Sequence, residues 1–97
     1  MESTESATAE LLFQDKRVKV WRWTFESHQA TGMHVHEYDY IAIPITGGTF
    51  EITTPEDSAV DFIQIAGEPY ARDAGVHHNV KFVGEGRASF VEIEHLK

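Results

Sequence analysis

The sequence predicts an all-β fold, a sandwich or barrel of short antiparallel strands, on three observations. From Lys16 onward the dominant signal is an apolar/polar alternation with a period of two. That alternation breaks at "SHQATG", "ITGG", "TPEDS", "AGEP", "DAG" and "GEG", turn-forming clusters spaced as short strands require. No window carries the periodicity of a long amphipathic helix. With 97 residues, of which 41% are hydrophobic, the chain has room for one core and the side chains to fill it.

In chain order, the polar opening "MESTESATAE" belongs to a flexible segment expected over residues 1–14, ahead of a single domain over residues 15–97. The strand "VKVWRWTFE" follows, with Trp21, Trp23 and Phe25 on one face and Val20, Arg22 and Thr24 on the other. Both tryptophans read as sheet packing or a dimer contact. Arg22 reads as a salt-bridge partner, although on a barrel-lining face it would suit a carboxylate. Next come His34 and His36, which a strand turns to the same face while Met33 and Val35 take the other. Two imidazoles so placed can share one ion at ~2.0–2.1 Å from each nitrogen, yet the same spacing also occurs in solvated pairs.

The segment "IAIPITGG" is an apolar run into a double glycine. In "AGVHHNVKFVG" the alternation puts Val76, His78, Val80 and Phe82 on one face and His77, Asn79, Lys81 and Val83 on the other. His78 therefore points inward and His77 meets water. A buried imidazole needs a partner, either hydrogen bonds or a metal, and the presence of His34 and His36 favours the metal. Along the last strand Phe90, Glu92 and Glu94 share a face. The two glutamates read as exposed edge carboxylates, with a hydrogen bond to a ligand histidine as the alternative.

Sixteen acidic against eight basic side chains give a net charge of −8, the wrong sign for nucleic acid or an anionic membrane surface. The absence of cysteine removes disulfides, thiolate metal sites and cysteine nucleophiles, so a metal must use His, carboxylate, Tyr or water. No apolar stretch approaches a membrane span, and the acidic N-terminus is unlike a signal peptide; the expected compartment is the cytoplasm. Apolar stripes on both strand faces of so small a chain predict a C2 homodimer.

The motifs resemble those of the cupin superfamily, small jelly-roll β-barrels. Their first motif runs Gly, five residues, His-x-His, three or four residues, Glu, six residues, Gly. Here His28 stands at the leading glycine, His34 and His36 at the histidine pair, Tyr40 at the glutamate and Gly47 at the closing glycine. The second motif is met by Gly67, Asp73 in place of proline, Gly75 and His78, with Phe82 where asparagine stands. The phrases "HEYDYIAIPITGG" and "GVHHNV" are similar to a group of small single-domain cupins that includes the beta-alanine degradation protein. The resemblance covers about Val18 to Glu94 and implies a jelly-roll barrel or sandwich.

It also implies one divalent transition metal (Fe, Ni, Zn, Co, Mn or Cu) on His34, His36 and His78. Tyr40 would serve as a hydrogen-bond donor to bound water or substrate rather than as a phenolate ligand; Glu37 and Asp39 are alternative oxygen donors. Two functions follow. One is a metal-dependent, dioxygenase-like enzyme on a small carboxylate or amino-acid-derived metabolite. The other is a non-catalytic small-molecule or metal-binding module.

Overall fold

The structure, a computed structural model, describes residues 6–96. Nine strands follow one another: β1 (Thr8–Gln14), β2 (Val18–Glu26), β3 (His34–Val35), β4 (Tyr40–Pro44), β5 (Gly48–Thr53), β6 (Ala59–Gln64), β7 (Tyr70–Arg72), β8 (His77–Phe82) and β9 (Arg87–His95). No helix forms among the described residues. The strands make two antiparallel sheets, ordered β1-β2-β9-β4-β7 and β3-β8-β5-β6. Every predicted turn cluster falls between strands, save that Gly48, the last residue of "ITGG", opens β5.

Residues 8–14 depart from the expected flexible lead, because they form β1 and pair antiparallel with β2. Every residue of β1 is exposed. Its apolar residues Leu11, Leu12 and Phe13 run together without alternating, so no half-buried strand was marked there, and backbone hydrogen bonding along the edge of β2, with a bulge between Leu11 and Phe13, orders it instead. Residues 1–5 of that lead lie outside the described residues.

Strands β2 and β9 pair along their full lengths, from Val18 opposite His95 to Glu26 opposite Arg87. Their inward faces meet β5 and β8 in a cluster of four phenylalanines. Phe25 and Phe50 are fully buried, with ring centroids 5.3 Å apart in an edge-on contact at 78°. Phe82 and Phe90 complete it at 5.3 Å and 5.9 Å from Phe50. Such contacts add about 0.5–1.5 kcal/mol each beyond area burial.

Beyond this cluster the inward face changes character. Along β8, Phe82 gives way to Val80 and then His78; along β9, Phe90 gives way to Glu92; along β2, Phe25 gives way to Trp23. One half of the interior is thus an apolar plug that supports a polar half.

The turns use left-handed backbone where the motif demands it. His28, at the leading glycine position, has φ +71°, so the geometry persists without the glycine. Gly47 has φ +80°, and a Cβ there would lie 2.9 Å from the Gln64 carbonyl oxygen.

Candidate metal centre

Strand β3 is only two residues long, and its register decides which histidines meet. His34 lies opposite His78 and Val35 opposite His77. Directly paired residues share a face, so His34 and His78 point inward together while His77 and Val35 are exposed. His36, one residue past the strand, is held by two backbone bonds: its N–H donates to the Val76 carbonyl at 2.9 Å, and its carbonyl accepts from Gly75 N–H at 2.8 Å. Its side chain is buried, at 6% exposure.

The three imidazoles converge. His34 Nε2 lies 3.0 Å from His36 Nε2, and His78 Nε2 lies 3.3 Å from the same atom. All three ligand atoms fall within 4.8 Å of one another. His34 Nδ1 sits 2.8 Å from the Gly32 carbonyl oxygen. A carbonyl only accepts, so Nδ1 carries the proton and Nε2 turns a lone pair toward its neighbours.

A single N–H on His36 cannot serve both other nitrogens, and one shared cation can. Nitrogens ~2.1 Å from a common ion stand about 3.0–3.4 Å apart between octahedral and tetrahedral angles, which the two spacings fit. Burial, followed by the charge of His34, pushes His36 down to about 4. His78 is pushed to about 4 by burial first, then by His34, His36 and Arg72. Both are neutral near pH 7, the state a ligand needs.

Tyr40 packs its ring on His36, with centroids 4.1 Å apart and 24° between planes. Burial, then the charge of Glu92, raises the phenol above its ordinary value, so it keeps its proton. Neither Glu37 nor Asp39 joins the histidine group among the described residues. Asp39 Oδ1 instead accepts from the Ala74 N–H at 2.8 Å. Arg22 pairs with Glu10 at 2.8 Å on exposed surface, the salt-bridge role expected of it.

The expectation that Glu92 and Glu94 are exposed edge carboxylates is overturned. Strand β9 lies between β2 and β4 rather than at a sheet edge, and Glu92 shares its face with buried Phe90. Glu92 is 8% exposed, and Glu94 Oε1 accepts from Trp21 Nε1 at 2.9 Å. Burial raises Glu92 to about 7, helped by Glu94 and opposed by the Trp23 side chain. Trp23 packs against the phenylalanine core, the sheet packing expected of it, and its ring also stacks on His34 at 6.5 Å and 20°. Its inward parity with Phe25 was the available signal.

Two hollows flank the histidines. One of about 430 Å3 is bordered by His78, Tyr40 and Glu92. The other, about 420 Å3, is bordered by His34, His36 and Trp23.

The chain is 35% identical to the beta-alanine degradation protein BauB of Pseudomonas aeruginosa over 94 residues, 97% of this chain and 98% of that protein. A cupin domain from Bordetella pertussis superposes with a TM-score of 0.91 at 35% identity, covering 98% of both chains. The polyketide cyclase RemF of Streptomyces resistomycificus shares the fold at a TM-score of 0.73 and 14% identity, covering 96% of this chain and 67% of that one. No family model matches the chain.

Proposed function

Because the chain belongs to the small single-domain cupins that include BauB, we propose that it is a metal-dependent cupin acting on a small carboxylate or amino-acid-derived metabolite with dioxygenase-like chemistry. The observation that carries this reading is the convergence of His34, His36 and His78 on one point, with Nε2 spacings of 3.0 and 3.3 Å. Three neutral imidazoles leave coordination positions open. A divalent transition ion held there supplies Lewis-acid activation and, when redox-active, electrons for O2.

The chain's own residues do the rest. The Gly32 carbonyl fixes the His34 tautomer, and the Tyr40 phenol, proton retained, can donate toward a bound molecule. Glu92, raised to about 7, divides between carboxyl and carboxylate near neutrality, so it can give or take a proton there, and it borders both hollows. The phenylalanine plug closes the other half of the interior to water. An acidic, cysteine-free chain suits the cytoplasm.

Metal analysis of the purified and reloaded protein, followed by O2-uptake assays on the iron form against a panel of small acids, tests the reading. The expected result is one divalent ion per chain and consumption of O2 with at least one acid. Stoichiometric metal and ligand binding with no O2 uptake would identify a non-catalytic binding module instead.

A further inference from the structure

Among the described residues three arginines each pair with a carboxylate: Arg17 with Asp15 at 3.5 Å, Arg22 with Glu10 at 2.8 Å and Arg87 with Glu26 at 2.8 Å. Arg72 does not, in a chain with sixteen acidic side chains. Its guanidinium lies over the Tyr70 ring at 4.7 Å and the Phe62 ring at 5.5 Å. Those two rings meet edge-on at 4.9 Å and form a shelf. Among the described residues, the one hydrogen bond that the Arg72 guanidinium donates is to the neighbouring Ala71 carbonyl, at 2.8 Å. A planar fork so held, with most of its donors free, is arranged to grip a carboxylate in two-point fashion.

Arg72 borders the same 430 Å3 hollow as His78, and its charge acts on Tyr40, Tyr70 and His78. Asp61 and Glu92 border that hollow too, and neither forms an ion pair with it. Gln64, only 4% exposed, borders the hollow as well. Its Nε2 donates to the Tyr70 hydroxyl at 2.9 Å, while its Oε1 is buried with no hydrogen-bond partner. An orphaned buried acceptor costs about 1–3 kcal/mol, which a ligand donor would recover. Phe62, Val80 and Phe90 give the hollow apolar wall as well.

We propose that this hollow binds a short organic acid whose carboxylate is held by Arg72 at the mouth and whose hydroxyl or amino group is held by Gln64. The assignment rests on the metal-centre reading only in placing the ligand beside His78. It names the substrate class of that site and the residues that select it.

Calorimetric titration of propionate, propionamide and 3-hydroxypropionate into zinc-loaded and EDTA-stripped protein tests the proposal. Propionate should bind in both forms at least ~10-fold tighter than the neutral amide, the scale of a charge-assisted hydrogen bond. The hydroxyl of 3-hydroxypropionate should add affinity that Gln64→Leu removes. Arg72→Gln should weaken both acids on the order of 10-fold or more with zinc content unchanged, and Arg72→Lys should restore part of it. Because Arg72 is exposed, these variants should fold.

Undiminished acid binding in Arg72→Gln, or no binding at all, would overturn the proposal. Binding that vanishes with zinc but ignores Arg72 would put the carboxylate on the metal, overturning this site and sparing the metal centre. Arg72-dependent binding in a protein that takes up no zinc would do the reverse.

Discussion

At His77 and His78 a single step along β8 separates an exposed imidazole from one whose Nε2 lies 3.3 Å from His36. Metal-to-protein ratios should therefore fall steeply in His34→Ala, His36→Ala and His78→Ala and stay near wild type in His77→Ala; the opposite result for the last two would mean a register error of one residue. Tyr40, flat against His36 with its proton retained, should not bind the ion. After iron loading and oxidation, a visible phenolate band that disappears in Tyr40→Phe would contradict this.

The pH dependence of the metal-stripped protein follows from opposing groups. His36 and His78 fold with values near 4, against 6.5 unfolded, so acidification protonates the unfolded chain first and stability is lost from about 6.5 down toward 4. Glu92, at about 7 folded and 4.5 unfolded, contributes stability that is present at low pH and lost as pH rises through that interval. Two protons oppose one, so the Tm should fall between about pH 7 and about pH 5, and more steeply in Glu92→Gln. A flat or rising melting profile would show that these burials are not the controlling ones.

Within the elements, the histidine pair and His78 were legible because strand parity is a local property: side chains two apart share a face whatever the strand's neighbours. Strand β1 was not, since its apolar residues Leu11, Leu12 and Phe13 run together without the alternation of a half-buried strand, and only its pairing with β2 defines it. Gly47 shows what the loop between β4 and β5 demands. It combines φ +80° with a would-be Cβ contact of 2.9 Å to the Gln64 carbonyl, and backbone cannot step aside as a flexible side chain would. Gly47→Ala should cost about 1–3 kcal/mol, read as a Tm lowered by several degrees. An unchanged Tm would mean the turn rearranges freely.

For the molecule as a whole, the apolar residues left on its surface set the expected assembly. Leu11 and Phe13 on the edge strand β1 are 47% and 54% exposed, and Val60 and Ile63 on β6 are 58% and 66% exposed. Both strands end their sheets, and an apolar edge invites a second copy. Light scattering should give about twice the 11.0 kDa chain mass at tens of micromolar, roughly where a standard interface holds, and a monomer there would remove the expectation. The sequence by itself determined the all-β class, the turn positions and the inward parity of His34, His36 and His78, because alternation and turn chemistry act over a few residues. Only the tertiary structure decided that β9 lies between β2 and β4 rather than at a sheet edge, with Glu92 buried on it, and that β7 pairs with β4, which sets Arg72 opposite Tyr40. Those environments come from strands distant in the chain, and no local pattern says which strand will be the neighbour.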